Sequence, residues 1–121
     1  MKKFTISTVA LLTVLSLTAC GTTPVEISCE DAKLAMENPH TKLIDVREIE
    51  EHAESNITGN ILIPLNTISE NSLFGRRIKK DDHVIAYCRS GNRSMAAYDK
   101  LKELGYENVQ SLEGGITNCK F

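Results

Sequence analysis

Positive charge is not in excess in this chain of 121 residues, because 14 Lys and Arg stand against 16 Asp and Glu. That balance excludes the broad basic surface typical of nucleic-acid-binding proteins, so we expect no nucleic-acid partner. The histidines His40, His52 and His83 have no metal-ligand spacing with one another or with the cysteines. We therefore predict no metal site and place these side chains at the surface. No CxxC pair occurs, which leaves a dithiol redox centre without support.

Long apolar runs are missing as well. The longest, residues 4–17, falls short of the roughly 20 residues that a membrane-spanning helix needs. It follows Lys2 and Lys3 and ends just before Cys20, an arrangement typical of a secretory signal. Residues 17–20 read LTAC, which resembles the lipobox of bacterial lipoproteins, where the signal is cut before a cysteine that carries lipid. An ordinary signal peptide with an incidental cysteine, or a retained anchor, is the alternative.

Cleavage before Cys20 would divide the chain into a lipoprotein signal peptide at residues 1–19, a polar tether at residues 20–24 and one folded domain at residues 25–121. This predicts a lipid-anchored protein of the cell envelope that faces the periplasm or the exterior. Gly21 stands where an aspartate often retains lipoproteins at the inner membrane, so an outer membrane is favoured where there is one. We expect a monomer.

The most informative segment is the loop at residues 88–94, which reads CRSGNRS. It lies between a short apolar strand pattern and an amphipathic helix pattern, so Cys88 would stand at the end of a strand and before a helix amino terminus. Free N–H groups and the helix dipole favour negative charge there, and Arg89 and Arg93 flank the thiol. We therefore predict a lowered pKa and a nucleophilic thiolate. The alternative is a buried, inert cysteine between solvated arginines.

Strand and helix patterns alternate along residues 25–121, which predicts an α/β sandwich with a mainly parallel sheet covered on both faces. The segment at residues 66–82 is the least regular and suggests one helical turn near residues 68–74. The predicted strands lie at residues 25–27, 42–46, about 60–63, 83–88 and 108–112, and the predicted helices at residues 29–38, 47–55 and 93–105, with a short helix after Gly114 and Gly115.

Several motifs occur in an order that resembles single-domain rhodaneses. They are LIDVRE at 43–48, ILIPL at 61–65, YCRSGNRS at 87–94, LGY at 104–106 and LEGGI at 112–116. The resemblance covers nearly all of residues 25–120. It implies a rhodanese-like three-layer sandwich with a five-stranded sheet in the order 1-5-4-2-3, and a sulfurtransferase that carries sulfane sulfur.

The resemblance also implies a chemistry for the loop. Cys88 would be the nucleophile and would carry a covalent persulfide, with no other cofactor. An anionic donor such as thiosulfate would supply the sulfur, and a thiol or cyanide would accept it. Arg89 and Arg93 would stabilise the leaving sulfite, while the remaining loop residues would supply backbone N–H groups to the persulfide; these are Ser90, Gly91, Asn92 and Ser94.

Asp45 and Arg47 follow the second predicted strand and would open toward the same rim. We assign them a structural role, because a carboxylate and a guanidinium this close usually fix a loop. The acidic segment from Glu48 to Glu54 is interpreted as a solvated helix face.

The chain departs from the family pattern at two places. Ser55 and Asn56 replace the Gly and His found before the third strand in many members, although Asn can still form hydrogen bonds. The usual tryptophan after the double glycine is absent, and Cys119 stands there instead. In the implied strand order the first and last strands are neighbours, so Cys29 and Cys119 could form a disulfide.

Three other functions remain open. A phosphatase or arsenate reductase also uses a cysteine loop with arginine, but the tyrosine phosphatase signature separates the two by one residue more than Cys88 and Arg93 are separated here. A non-catalytic rhodanese-like binding module would often lack the cysteine, which this chain keeps. A redox thiol resolved by Cys29 or Cys119 would lack a CxxC motif.

Overall fold

The computed structural model describes residues 23–121, in which five parallel strands form one sheet. The strand order is β1-β5-β4-β2-β3. The predicted α/β sandwich and its strand order are therefore confirmed. The strands are β1 (Glu26–Ile27), β2 (Thr41–Asp45), β3 (Asn60–Leu62), β4 (His83–Tyr87) and β5 (Val109–Leu112); the helices are α1 (Cys29–Ala35), α2 (Ile49–Glu54), α3 (Glu70–Gly75) and α4 (Asn92–Glu103); two 3₁₀ helices lie at Leu65–Thr67 and Gly115–Asn118.

The predicted signal peptide at residues 1–19, the lipidated Cys20 and most of the tether lie outside the described residues. No helix within residues 23–121 has the length and apolar character to cross a membrane.

Alternating residues of the central strands pack into two separate hydrophobic clusters, one on each face of the sheet. Ile44, Val84 and Ala86 face α3 and α4, where Leu73 and Leu101 are fully buried. The opposite cluster lies against α1 and consists of Ile27, Ala32, Leu43, Ile57, Ile85, Tyr87, Leu112 and Cys119. Both clusters and all strand pairings fall within residues 26–121, so this segment contains a complete folding unit.

Helix α1 begins as its capping residue predicts, since the Ser28 hydroxyl accepts a hydrogen bond from the Asp31 N–H at 3.1 Å. It ends at Ala35 and not near Asn38, because the chain tightens into i→i−3 hydrogen bonds there. The segment at residues 66–82, for which the sequence predicts one helical turn, contains more secondary structure than predicted. A 3₁₀ helix precedes α3, and reciprocal hydrogen bonds between Ser69 and Ser72 start α3.

A disulfide joins Cys29 to Cys119, with Cα atoms 5.3 Å apart. It links the start of α1 to the residue that follows the last 3₁₀ helix. A disulfide of this kind typically stabilises a domain by about 2–4 kcal/mol. Among the described residues, Cys88 is the free cysteine.

Candidate functional site

Cys88 follows the last residue of β4 at the carboxyl edge of the sheet, and its side chain is only 1% exposed. The chain then turns through Gly91 into α4. Gly91 has a φ of 121°, a conformation that L side chains rarely adopt, so a glycine is required at this turn. The position between a strand end and a helix amino terminus is the one that the sequence predicts for Cys88.

Three groups surround the sulfur of Cys88. The N–H groups of Gly91 and Ser94 donate to Sγ at 3.1 and 3.4 Å, and the Ser94 hydroxyl oxygen lies 3.6 Å from Sγ. Burial by itself would raise the pKa of the Cys88 thiol. Hydrogen bonds from the Ser94 side chain and from the backbone of Ser94, Gly91 and Ser90 outweigh that effect, and the net pKa lies below its ordinary value of 9.0. The site therefore favours a thiolate.

A second serine supports this arrangement from β5. The Ser111 hydroxyl lies 2.7 Å from the Ser94 hydroxyl, and both side chains are fully buried. The Ser94 hydroxyl donates to the Gly91 carbonyl oxygen at 3.0 Å, and with Ser111 as donor to Ser94 that proton can turn toward Cys88 when the thiol is ionised. The sequence analysis missed Ser111. Its strand reads VQSL, in which Gln110 is polar as well, so no local pattern marks Ser111 as a partner of the loop.

The arginines act differently from the sequence prediction, which has both guanidiniums facing the thiolate. Arg93 instead donates to both carboxylate oxygens of Glu51, at 2.6 and 2.8 Å. Arg89 is exposed and lines a neighbouring cleft. The main stabilisation of the thiolate therefore comes from hydrogen bonds of the loop and Ser94, while Arg93 interacts with Cys88 through its charge and shares that charge with Glu51.

Glu51 also differs from the prediction that the segment from Glu48 to Glu54 is a solvated helix face. Its hydrogen bonds from Arg93 and from the Glu48 N–H lower its pKa from 4.5 to about 2. It is half-buried and stays ionised beside the loop. Nothing in the sequence marks it out from the neighbouring glutamates.

Asp45 and Arg47 lie at the end of β2 and form a buried ion pair. Arg47 donates to both carboxylate oxygens of Asp45, at 2.9 and 2.8 Å, and to the Ser55 carbonyl oxygen. Tyr87 donates its hydroxyl to the same carboxylate at 3.0 Å and accepts the Ile57 N–H. Burial would raise the pKa of Asp45, but the hydrogen bonds from Arg47 outweigh it and the pKa is lowered. The contacts tie together β2, β4 and the segment after α2.

Two histidines contradict the surface prediction. His52 Nδ1 lies 3.0 Å from the buried Asp45 carboxylate, and His83 Nε2 lies 2.8 Å from the Gln110 side-chain oxygen. Both rings are partly buried by these contacts, whereas His40 is exposed as predicted. No group of three or more His, Cys, Asp or Glu side chains that could hold a metal ion occurs within residues 23–121.

The last 3₁₀ helix packs directly on the loop, a contact that the sequence analysis did not foresee. The Ile116 N–H donates to the Cys88 carbonyl at 2.9 Å, and the Thr117 hydroxyl lies 3.0 Å from the Arg89 carbonyl oxygen. Gly115 makes the close approach possible, since a Cβ there would lie 2.5 Å from both carbonyl oxygens. The disulfide at Cys119 holds the far end of this helix.

A cleft of about 640 Å³ opens beside the loop. Arg89 contributes a positive charge to its wall, and Lys120 adds another. Ser55 and Asn56 also line it, so the positions that depart from the family pattern border the site. The full lining is Arg47, Glu51, Glu54, Ser55, Asn56, Ile57, Arg89, Ile116, Thr117, Cys119, Lys120 and Phe121.

Comparisons with known proteins agree with this geometry. Residues 28–120 match the family model described as "Rhodanese-like domain". "Thiosulfate sulfurtransferase GlpE" of Tolumonas auensis is 29% identical, over 74% of this chain and 82% of that protein. "Putative thiosulfate sulfurtransferase, mitochondrial" of Schizosaccharomyces pombe is 37% identical, over 61% of this chain and 59% of that protein. The crystal structure of BH2092 from Bacillus halodurans superposes with a TM-score of 0.68 at 30% identity, covering 75% of this chain and 67% of that one.

Some relatives are much longer than the matched segment. The chain spans 26%, 48% and 59% of the length of three of the curated relatives that it matches.

Proposed function

The chain belongs to the rhodanese-like family, and on that premise we propose that it is a sulfurtransferase that carries sulfane sulfur as a persulfide on Cys88. The observation that carries the proposal is the hydrogen bonding of Cys88 Sγ by the N–H groups of Gly91 and Ser94. A loop that stabilises a thiolate also stabilises the negative terminal sulfur of a persulfide. The relatives named as thiosulfate sulfurtransferases support the same reaction class.

In the first step, the Cys88 thiolate attacks the outer sulfur of thiosulfate. A Cys88–sulfur bond forms, the S–S bond of the donor breaks, and sulfite leaves with the bonding electron pair. The terminal sulfur of the persulfide keeps the negative charge that it carried in thiosulfate, and sulfite leaves as a dianion, so no proton is needed. Arg89, exposed at the cleft, is available to bind the incoming dianion and the leaving sulfite.

In the second step, cyanide or a thiolate attacks the terminal sulfur. With cyanide the product is thiocyanate, and the Cys88 thiolate is restored with its original charge. The hydrogen bonds that stabilise the starting thiolate therefore also stabilise it as the leaving group.

The loop residues divide into two roles in this proposal. Arg89 and Arg93 supply positive charge, with Arg93 restrained by Glu51. The other residues shape the backbone around the sulfur, and Ser94 adds its hydroxyl; they are Ser90, Gly91, Asn92 and Ser94. Asp45 and Arg47 keep the rim in place and do not take part in the reaction.

We extend the proposal to location. A lipid on Cys20 would hold the enzyme at a membrane of the cell envelope, with its donor and acceptor drawn from that compartment. Metabolic labelling with a radioactive fatty acid, compared between the native chain and Cys20→Ala, would test this. Label that persists in Cys20→Ala would contradict it.

The reaction is tested by thiocyanate formation from thiosulfate and cyanide with residues 23–121. Cys88→Ser should abolish turnover, and Arg89→Gln should raise KM for thiosulfate by about tenfold, as expected for a lost charge-assisted hydrogen bond. Arg76→Gln is the matched control, because Arg76 is exposed at the end of α3 and distant in the fold from the loop. Absence of thiocyanate from the native domain, or turnover of an aryl phosphate in its place, would contradict the proposal.

A further inference from the structure

An exposed aromatic side chain stands beside a group of basic side chains, and the acidic side chains of Glu70 and Asp81 are also exposed in the same stretch of chain. Phe74, near the end of α3, is 84% exposed. Four basic residues follow it within a short segment, and all four are exposed: Arg76, Arg77, Lys79 and Lys80. We call Phe74 and these four residues the basic-aromatic surface. A large exposed apolar side chain in such surroundings often marks a binding surface.

The topology determines which edge of the sheet carries this surface. Because all strands are parallel, they begin at one edge and end at the other. The surface directly precedes β4 and so lies at the amino edge, whereas Cys88 follows β4 at the carboxyl edge. Residue 25, just before β1, enters at the same amino edge and is also partly exposed. The chain that leads back to Cys20 therefore enters the domain on the side of the basic-aromatic surface.

The charges of the surface are largely available for a partner. Lys80 pairs with Glu70 at 3.2 Å and lies over the Tyr106 ring, 4.7 Å from its centre. Within residues 23–121, Arg76, Arg77 and Lys79 form no ion pair. A cleft of about 880 Å³ beside Phe74 is lined by apolar groups, by the basic residues Arg77, Lys79 and Lys80, and also by Glu70 and Asn71.

We propose that the basic-aromatic surface docks on an anionic lipid bilayer. Phe74 enters the interface between headgroups and acyl chains, and Arg76, Arg77 and Lys79 bind lipid phosphates. An aromatic residue flanked by Arg and Lys is the composition that an anionic membrane interface attracts. An extended chain of six residues spans about 20 Å, so Cys20 lies within that reach of β1.

This docking determines the orientation of the enzyme. The amino edge of the sheet faces the membrane, and the carboxyl edge with Cys88 and its cleft faces the aqueous phase. If Cys20 carries lipid, as proposed above, the anchor and the surface act on the same edge and reinforce each other, because the tether keeps the surface at a high effective concentration near the bilayer. The docking itself requires no lipid on the protein.

The absence of tryptophan from the chain provides a direct probe. Phe74→Trp would introduce a single tryptophan, which can be excited selectively over the three tyrosines, into residues 23–121, which contain a complete folding unit. Its emission should shift to the blue with vesicles of phosphatidylglycerol and phosphatidylcholine in equal parts, and should not shift with phosphatidylcholine alone. Ile49→Trp is the matched control, since Ile49 is 63% exposed on the carboxyl-edge side and should not respond. No shift at Phe74→Trp, or equal shifts at both positions, would overturn the proposal.

Vesicle co-sedimentation of charge variants tests whether the basic residues bind lipid phosphates. Arg76→Gln with Lys79→Gln should weaken binding to the anionic vesicles about fivefold for each charge removed. Lys33→Gln with Lys120→Gln removes the same charge near the C-terminal segment and should leave binding nearly unchanged. Equal losses of vesicle binding in both double variants would overturn the proposal that binding takes place at the basic-aromatic surface. Competition by free glycerol phosphate at the same phosphate concentration would show a soluble-anion site and would equally overturn it.

Discussion

Arg93 and Glu51 form a two-point ion pair at the rim of the Cys88 loop, with hydrogen bonds of 2.6 and 2.8 Å. Arg93 belongs to the first turn of α4 and Glu51 to α2, so the pair also joins two helices. The carboxylate cancels part of the positive charge that would otherwise act on the thiolate and on an anionic donor. Glu51 therefore lowers the positive potential at the site.

The first prediction follows from the partial cancellation of the Arg93 charge by Glu51. Glu51→Gln should lower KM for thiosulfate by about three- to tenfold, since the removal of a partly exposed negative charge is worth about 1 kcal/mol. Gln can still accept the Glu48 N–H and so preserves the start of α2. Steady-state kinetics at low salt would measure the effect. Glu50→Gln makes the same charge change on an exposed face of α2 and should leave KM unchanged; an unchanged KM in Glu51→Gln would contradict the prediction.

The second prediction concerns the stability of the domain at low pH. The pKa of Glu51 in the folded protein, about 2, lies below its ordinary value of 4.5. The ion pair with Arg93 therefore contributes fully to stability above about pH 4.5, and the contribution disappears as the pH falls toward 2. The difference in the free energy of unfolding between the native domain and Glu51→Gln should shrink over that interval. Urea unfolding at a series of pH values would show it, and a difference that stays constant down to pH 2 would refute it.

The third prediction uses the contact between the last 3₁₀ helix and the loop. Gly115→Ala would place a Cβ against the Cys88 and Arg89 carbonyl oxygens, at a φ of +61°. We expect a loss of at least about 2 kcal/mol of stability and a more than tenfold loss of sulfur transfer. Gly75→Ala is the matched control, because its Cβ would meet nothing within 4 Å. Thermal unfolding and thiocyanate assays of both variants would decide, and similar behaviour of the two would be evidence against the contact.

The fourth prediction concerns the disulfide. Replacing both Cys29 and Cys119 with Ala should lower the free energy of unfolding by about 2–4 kcal/mol. The amide hydrogens of Ile116 and Thr117 should also exchange faster, since the helix that they belong to loses its tie to α1. Reductant should reproduce both effects in the native domain and have no effect on the double variant. Peptide mass spectrometry without reductant that shows both cysteines as free thiols would contradict the assignment.

Local patterns were sufficient to predict the α/β class and the position of Cys88, whereas the strand order was predicted from the resemblance to single-domain rhodaneses. Strand patterns that alternate with helix patterns predict a parallel sheet. Gly91, together with the helix pattern that follows it, locates the loop. The partners of the site come from distant segments of the chain, and no local pattern specifies them. Glu51 reaches Arg93 across 42 residues, and Ser111 reaches Ser94 across 17.

His52 illustrates the same limit. Its spacing to other histidines and to the cysteines gives no reason to expect a metal ligand, and it gives no sign that the ring contacts the Asp45 carboxylate. That contact depends on how α2 packs beside the end of β2, which is a property of the tertiary structure. Single-residue patterns describe the elements of a fold, and the contacts between elements decide which polar side chains are buried.

The most direct test of the account is the intact mass of residues 23–121 after incubation with thiosulfate and removal of the excess. We predict a gain of about 32 Da, the mass of one sulfur atom, which cyanide removes with release of an equal amount of thiocyanate. Cys88→Ser should show no gain. An unchanged mass in the native domain, or the same gain in Cys88→Ser, would contradict a persulfide on Cys88.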